Sequence, residues 1–419
     1  MFLGCGRKPE YPEKTHAGTG RTCKRAPCHV EMMEMLSHVR GTSAFFRDSF
    51  RTGSCNTLTQ VTRACSTLLT GSSKGGLVLY SQSSDVYDNL SLEDWIDANV
   101  DLKRLNVLLL WRNTPAVVIG RHQNPWKECN LSLVRRSGIS LARRRSGGGT
   151  VFHDLGNLNL TFFASKNAYD RQRNLKVITE ALRRLRPGLD VEATERFDIF
   201  LKGCYKITGS ASRISRKSSY HHCTLLHSAD HSTLLPILRS SCQGVHSNAT
   251  PSVPSPVANL VDHDPTLKWE ALLDALADQY SAEFGGCGTM NAVNPADEST
   301  FPGLSRISAE LRGWDWIFGK TPKFSIQTLL KMTDDLSSAG RTVRLHLEIK
   351  HGVIESCSLD VPTCWLPPSL SSELSSVLVG QRFCPHHTAV AFSMLLRCES
   401  GEKQNRLRRL CDAILAVMG

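Results

Sequence analysis

The residues best suited to chemistry lie in one short segment, residues 143–163, which reads RRRSGGGTVFHDLGNLNLTFF. Gly147, Gly148 and Gly149 lack a Cβ atom, so a ligand can approach their amide groups, and successive amides form a concave site for an anion. The three arginines before them carry forked donors that suit a phosphate or a carboxylate. The segment has neither the lysine of a P-loop nor a GxGxxG turn. We interpret it as an anion-binding loop; the alternative is a plain glycine turn between two strands.

A lysine on a predicted hairpin is the second candidate group. Residues 196–210, RFDIFLKGCYKITGS, alternate apolar and polar side chains on both sides of Lys202 and Gly203, which predicts a β-hairpin. In that register Lys206 and Thr208 share one face, beside a small Gly-Ser turn. Lys206 is therefore placed to contact anionic oxygens of a ligand; the alternative is a solvated strand lysine.

A histidine-rich stretch, residues 218–232 (SSYHHCTLLHSADHS), raises the question of a metal site. The spacing is wrong for structural zinc, because no second pair follows at CxxC or HxxxH spacing, and the CPHH sequence at 384–387 is no better. We predict no metal site, and interpret His222 and Thr224 as polar groups of the same cleft.

The composition limits the class of protein. The chain has 419 residues, 41% of them hydrophobic, and 15 cysteines without a CxxC pair, which indicates a reducing compartment. No apolar run is long enough for a membrane span, so no membrane association is expected. The net charge is +11, but residues 1–74 hold 11 Lys and Arg against 5 acids, about half of the excess. This distribution argues against nucleic-acid binding as the main role.

The first 74 residues are predicted to be a disordered, mitochondrial transit segment. Residues 1–30 have no hydrophobic period, whereas the stretch from Met35 is rich in Arg, Ser and Thr with one acid, Asp48. We expect translation to start at Met32, Met33 or Met35, and cleavage before residue 75 or 76. The alternative is an ordinary disordered tail.

Periodicity in the remainder predicts an α/β (α+β) protein. We expect strands at 77–82, 107–111 and 116–120 and an amphipathic helix over 174–186, and Ser91 and Asp94 have the spacing that caps a helix start. Gly and Pro punctuation interrupts the pattern at 285–303. Beyond it lie a hairpin turning at residues 351–352 and three helices, so we predict a large domain over 75–290 and a small α+β domain over 291–419.

Several of these motifs, taken together, resemble a known family. LARRRSGGGTVFHDLGN, KITGSASR and YHHCTLL, in this order and preceded by VVIGRHQNPWKECN, are similar to the lipoate–protein ligase A family, especially its mitochondrial branch. The resemblance covers about residues 75–419. It implies a biotin/lipoate–protein ligase-like fold, a mixed sheet with helices, and lipoyl-AMP as a substrate with no permanently bound cofactor.

The resemblance also implies which residues form the site. Lys206 is the expected catalytic residue. The residues expected to bind lipoyl-AMP are Arg144, Ser146, Gly148, Gly149, Phe152, His153, Asn157, Arg196, Lys206, Thr224, Thr250 and Ser252. Phe152, Thr208 and Cys223 depart from the residues common in the family, Tyr, Ser and Gly, but none of these changes removes a charged group.

The activity implied is transfer of a lipoyl or octanoyl group from an activated donor to a lysine of lipoyl domains. The expected acceptors are the E2 subunits of 2-oxoacid dehydrogenases and the glycine-cleavage H protein, and the enzyme is expected to be a monomer of the mitochondrial matrix. Two alternatives stay open: a complete ligase that needs ATP and Mg²⁺, and a basic nucleic-acid-binding module without enzymatic activity. The donor, lipoyl-AMP or an acylated carrier protein, is also left open.

Overall fold

A computed structural model describes residues 75–334 and 337–419. The predicted transit segment lies outside the described residues. The strands are β1 (Gly75–Ser81), β2 (Leu105–Trp111), β3 (Ala116–Ile119), β4 (Ser140–Arg143), β5 (Val151–His153), β6 (Asn157–Ser165), β7 (Val191–Ala193), β8 (Ile199–Leu201), β9 (Tyr205–Thr208), β10 (Ser210–Ile214), β11 (Ser218–Leu226), β12 (Val245–Ser247), β13 (Met290–Val293), β14 (Phe324–Asp334), β15 (Ser337–Lys350) and β16 (Val353–Asp360).

The helices surround these strands. They are α1 (Val86–Asn99), α2 (Pro125–Glu128), α3 (Leu131–Arg136), α4 (Arg171–Leu185), α5 (His231–Ile237), α6 (Trp269–Phe284), α7 (Leu304–Arg312), α8 (Trp314–Ile317), α9 (Pro368–Leu378), α10 (Pro385–Arg397) and α11 (Gly401–Val417). The predicted mixed α/β class is confirmed.

A six-stranded mixed sheet in the order β10-β11-β6-β2-β1-β13 forms the centre of the fold. Strand β1 pairs in parallel with β2 and β13, whereas β2, β6, β11 and β10 pair antiparallel. Strand β2 is apolar without interruption because both of its faces are buried: Val107 and Leu109 enter one core, and Leu108 and Leu110 the other.

Strand β6 gives the sheet one apolar and one polar face. Leu158 and Leu160 pack into the core beneath α4 and α6, while Asn159 and Thr161 point to the opposite side. Strand β11 follows the same alternation in register, with His222 opposite Thr161. The polar face of this strand pair therefore forms the floor on which a site can be built.

The start of α1 differs from the prediction. The helix begins at Val86, and the side chain of Asp85 caps it by accepting hydrogen bonds from the amides of Tyr87 and Asp88, at 2.8 and 3.1 Å. Ser91 lies inside the helix and donates to the Tyr87 carbonyl, at 2.5 Å. Ser91 is thus no cap, because the preceding turn already has a carboxylate that accepts two amide protons.

Both predicted hairpins are present, and their turns share one backbone feature. Lys202 and Gly203 have φ of 51° and 66°, and His351 and Gly352 have φ of 54° and 72°. Two positive φ values in succession suit the right-handed twist of a tight hairpin. The turn at 202–203 joins β8 to β9, which carries Lys206.

Strands β12, β14, β15 and β16 form a second, antiparallel sheet covered by α9, α10 and α11. Aromatic contacts link this part to the rest: the ring of Trp126 lies 5.2 Å from that of Phe324 and 5.3 Å from that of Phe383. The domain boundary at 290/291 stays a prediction. Across residues 75–334 and 337–419, no helix combines the length and apolarity needed to cross a bilayer.

Candidate active site

A cavity of about 310 Å³ lies over the polar face of β6 and β11. Residues from distant parts of the sequence line it, because the glycine segment, the β8–β9 hairpin and the loop at 250–253 converge there. Nine of the twelve predicted binding residues border it: Arg144, Gly148, Gly149, His153, Arg196, Lys206, Thr224, Thr250 and Ser252. The predicted group is therefore brought together around one cavity, while the role of each member stays a prediction.

Arg144 shapes the glycine loop from within. Its guanidinium donates to the carbonyls of Gly147 and Gly149, both at 2.6 Å, and to that of Val118 at 3.0 Å. Burial lowers its pKa to about 10, which still leaves it protonated at neutral pH. The carbonyls of the glycine loop turn towards Arg144, and the amides of the same loop are therefore left for a ligand.

The glycine amides are the groups that this arrangement offers to an anion. The amides of Gly147, Gly148 and Gly149 donate to no protein acceptor within the described part of the chain. Gly148 has φ of +82°, and a Cβ there would lie 3.1 Å from the Arg144 guanidinium and 3.2 Å from the Ala211 methyl group. Glycine is required at this position for both backbone and space.

The interpretation of all three arginines as anion donors is wrong for two of them. Arg143 is fully buried, and its guanidinium donates to Ile317 O and Thr321 Oγ1 and to three carbonyls of the turn at 120–123. Arg145 forms ion pairs with Asp94 and Glu310 and stacks on a tryptophan ring. Their donors are used to hold distant segments together, so neither faces the cavity.

Lys206 and a carboxylate form an ion pair at the edge of the cavity. Lys206 Nζ lies 2.9 Å from Asp198 Oδ1, with about a fifth of each side chain exposed. The Lys206 backbone is fixed by its amide, which donates to Pro256 O at 2.9 Å, and by its carbonyl, which accepts from the Ala258 amide at 3.3 Å. The sequence reasoning missed Asp198, although the apolar–polar alternation of the hairpin placed it only one residue before β8.

A chain of hydrogen-bonded side chains runs from the cavity wall, at Arg144 and His222, into the interior. Ser146 Oγ accepts from Arg144 Nε at 3.0 Å and lies 2.8 Å from His222 Nε2, and His222 Nδ1 lies 3.0 Å from Glu93 Oε1. Glu93 also accepts from Thr161 Oγ1 at 2.5 Å. This order of groups matches a serine–histidine–carboxylate triad, but Ser146 is buried and is not among the residues that border the cavity. These hydrogen bonds instead fix the orientation of the Arg144 side chain. Glu93 was not identified from the sequence as part of the site.

The loop at 250–253 is tied to the glycine segment by Ser252. Its hydroxyl accepts from the amide of Thr150 at 2.9 Å and from Gln123 Nε2 at 3.1 Å, and it donates to Glu128. Gln123 also donates to Thr250 O at 3.3 Å. Hydrogen bonds to the glycine segment and to Gln123 therefore hold the two predicted residues of this loop, Thr250 and Ser252, at the cavity.

Three predicted residues lie outside the cavity lining: Ser146, Phe152 and Asn157. Phe152 packs into the apolar core. Asn157 is fully buried and donates to Asn159 Oδ1 at 3.1 Å, and Asn159 does line the cavity. Asn157 lies two residues before Asn159 on β6, opposite Leu226, whereas Asn159 lies opposite Thr224, which also borders the cavity.

His153 is a neutral group in the cavity wall. Its Nδ1 lies 3.0 Å from Asn113 Nδ2, which donates to it. Burial, with the Arg144 charge nearby, lowers the pKa of His153 to about 3. Across the described ranges no three metal-binding side chains come together, and His221 points to the opposite, apolar face of the sheet beside Phe162.

Comparisons with known proteins show which sequences this chain resembles. The lipoyl protein ligase A/B catalytic domain matches residues 85–281. The mitochondrial lipoyl amidotransferase of Homo sapiens is 49% identical over 347 residues, 82% of this chain and 92% of that protein. The lipoate-protein ligase A of Psychrobacter cryohalolentis is 35% identical over 282 residues, 66% of this chain and 80% of that protein.

A solved structure shares the fold. The P. falciparum protein LipL1, crystallised in complex with lipoate, superposes with a TM-score of 0.50 at 24% identity, over 81% of this chain and 99% of that one.

Proposed function

This chain belongs to the lipoate–protein ligase A family, and from that premise we propose that it transfers a lipoyl or octanoyl group from an activated donor to a lysine of lipoyl domains. One observation carries the proposal: Lys206 borders the same cavity as Gly148 and Gly149, whose amides donate to no protein acceptor among the described residues. The protein is thus an acyltransferase, and it acts in the mitochondrion, as the name of its human relative indicates.

We propose that lipoyl-AMP is the donor that occupies the cavity. Its acyl chain lies against the apolar part of the wall, which consists of Leu90, Trp111, Val118, Val151 and Ala211. The acyl-phosphate group lies between the amides of Gly148 and Gly149 and the ammonium group of Lys206. The adenosine part extends towards Arg196 and the loop at 250–253. No cofactor is permanently bound in this scheme.

The chain's own groups then supply the electrostatic part of the reaction. The acceptor amine attacks the acyl carbon, the C–N bond forms, and the C–O bond to phosphate breaks, so that AMP departs with the electron pair. Negative charge builds up first on the carbonyl oxygen and then on the phosphate. Once the donor is bound and Lys206 has turned to it from Asp198, Lys206 and the glycine amides are directed at those oxygens, and such preorganised donors lower the barrier because they do not reorganise during the chemical step.

The acceptors we propose are lipoyl domains of E2 subunits and the glycine-cleavage H protein, with the enzyme acting as a monomer. A lysine carries its amine on a flexible four-carbon side chain, so the side chain can extend into the cavity while the lipoyl domain itself stays outside.

A complete ligase is the second candidate, since a relative at 35% identity is named as one. Such an enzyme would form lipoyl-AMP in the same cavity from lipoate and ATP with Mg²⁺. The higher identity to an amidotransferase, 49%, favours transfer alone.

The decisive experiment uses an unmodified lipoyl domain as the acceptor. Residues 75–419 are incubated with lipoyl-AMP, with lipoate plus ATP and Mg²⁺, or with an acylated carrier protein, and the intact mass of the acceptor identifies the donor used. A mass increase with lipoate, ATP and Mg²⁺ as well as with lipoyl-AMP would favour the ligase over transfer alone, and no mass increase with any of the three donors would contradict the proposed function.

The matching variant is Lys206→Ala. We expect its transfer rate to fall about 100-fold or more, because one directed donor to the developing charge is lost. The control is Lys202→Asn, which removes an exposed charge from the turn of the same hairpin with a residue that tolerates positive φ. Equal rates for Lys206→Ala and Lys202→Asn would remove Lys206 from the mechanism.

A further inference from the structure

We propose that Asp198 receives the acceptor lysine: its carboxylate exchanges Lys206 for the incoming ammonium group and takes up one of its protons. The proposal rests on the proposed function, and assigns to this site the residue that recognises its second substrate.

Asp198 lies at the junction of two cavities. The cavity of about 310 Å³ described above and a neighbouring one of about 410 Å³ share Arg196, Asp198, Lys206 and Val253 in their walls. If the donor fills the first cavity, the second is a route by which another side chain can approach the acyl carbon. Asp198 is the acidic side chain that borders both.

The carboxylate of Asp198 is committed to one partner only. Among the described residues, its polar side-chain contact is Lys206 Nζ, 2.9 Å from Oδ1. The backbone, by contrast, is held firmly: the Thr194 amide donates to Asp198 O at 2.9 Å, and the Asp198 amide donates to Thr194 Oγ1 at 3.3 Å. A fixed backbone with a free second carboxylate oxygen suits a group that changes partners.

The turn that presents Asp198 is strained and held in place. Phe197, directly before it, has φ of 63°, which is unfavourable for an aromatic residue. The guanidinium of Arg171 stacks on the Phe197 ring at 3.8 Å, and Ser210 Oγ donates to Phe197 O at 2.6 Å. Strained backbone that its surroundings enforce is typical of functional positions. Here it directs the next side chain, Asp198, towards Lys206.

Charge balance supplies the reason for the exchange. When the donor's phosphate arrives, Lys206 turns to it, and Asp198 loses its cation. A lysine of the acceptor is protonated at neutral pH, with an ordinary pKa near 10.4, and so carries the charge that Asp198 then lacks. It cannot attack until it loses a proton.

The acceptor nitrogen gives up two protons in all. One proton leaves the ammonium group for the Asp198 carboxylate and then for water, which yields the free amine. The amine forms the C–N bond as the C–O bond to phosphate breaks. The second proton leaves the nitrogen for the departing phosphate of AMP. No oxidant or further reactant is required.

The test compares two nucleophiles acting on enzyme-bound lipoyl-AMP in single turnover. One is the lysine of an unmodified lipoyl domain, followed by intact mass. The other is hydroxylamine, which is uncharged at neutral pH and needs no deprotonation, followed as the hydroxamate after subtraction of the uncatalysed reaction. The variants are Asp198→Asn, Asp198→Glu and Lys206→Ala. The matched control is Glu192→Gln, because the Glu192 carboxylate borders only the neighbouring cavity of about 410 Å³.

We expect Asp198→Asn to slow transfer to the lipoyl domain about 100-fold at neutral pH while hydroxamate formation stays within about threefold of wild type. The deficit should shrink as the pH rises towards 10, because the acceptor then supplies its own free amine. Asp198→Glu should recover part of the rate, and Lys206→Ala should slow both nucleophiles.

The proposal is overturned by an unchanged rate in Asp198→Asn. It is also overturned by an equal loss with both nucleophiles, which would mean that Asp198 acts only by holding Lys206 or the fold. A loss in Glu192→Gln as large as that in Asp198→Asn would also contradict it. If wild type itself fails to modify the lipoyl domain, the proposed function is what fails.

Discussion

Replacing Arg143 by methionine tests whether this arginine stabilises the fold or binds a ligand. The side chain is fully buried and donates to Ile317 O at 2.8 Å, to Thr321 Oγ1 at 2.8 Å and to three carbonyls of the turn at 120–123 at 2.8–3.2 Å. Methionine fills much of the same volume but donates nothing. Each buried acceptor left without a donor costs about 1–3 kcal/mol, and local relaxation lets some of them find new partners.

The expected loss in the free energy of unfolding is therefore about 3–5 kcal/mol, comparable with the removal of one member of a buried charged network. Equilibrium urea unfolding followed by tryptophan fluorescence measures it. The control is Arg136→Met, an exposed arginine of α3, which should change the free energy by less than about 0.5 kcal/mol. The reasoning is refuted if Arg143→Met leaves stability within 1 kcal/mol of wild type, roughly the effect of an ordinary substitution, yet abolishes lipoyl-AMP binding.

Two further predictions concern the cavity wall. Gly148→Ala places a methyl group at φ of +82° and 3.1 Å from the Arg144 guanidinium. We therefore expect the free energy of unfolding, measured in urea, to fall by about 1–2 kcal/mol, and adenylate binding, measured by calorimetry, to weaken. Unchanged values for both would show that the loop is not confined. His153 has a pKa of about 3 in the folded protein against an ordinary 6.5, so its contribution to stability is complete above pH 6.5 and is lost as the pH falls towards 3. Between pH 8 and pH 5 this loss is about 2 kcal/mol, and His153→Gln should lose that much less over the same interval; identical pH profiles would contradict a buried, neutral His153.

Local patterns were enough to predict many of the elements that carry the site. The continuous apolar run at 107–111 predicted the strand β2, and the Lys202-Gly203 pair indicated the turn that presents Lys206. These signals are readable because they depend on neighbours in the sequence: side-chain alternation, and a glycine where φ is positive. The start of α1 was misplaced, since a cap can be formed by any suitable side chain nearby, and Asp85 precedes Ser91.

The functions of individual charged residues were harder to predict. Arg143 and Arg144 are adjacent and identical in type, yet one links the turn at 120–123 to Ile317 and the other shapes the glycine loop. Nothing in the local sequence separates them, because the acceptors of Arg143 lie up to 178 positions away. Glu93 was missed for the same reason: its partner His222 lies 129 positions along the chain.

The central claim is that one cavity holds the acyl-adenylate with its phosphate between Lys206 and the glycine loop. The most direct measurement is a crystal structure of the protein with lipoyl-AMP bound. We predict density in the cavity of about 310 Å³, with acyl-phosphate oxygens within hydrogen-bonding distance of Lys206 Nζ and of the amides of Gly148 and Gly149. Density instead in the apolar cavity of about 330 Å³ beside Trp126 and Phe383, with the glycine amides uncontacted, would contradict the claim.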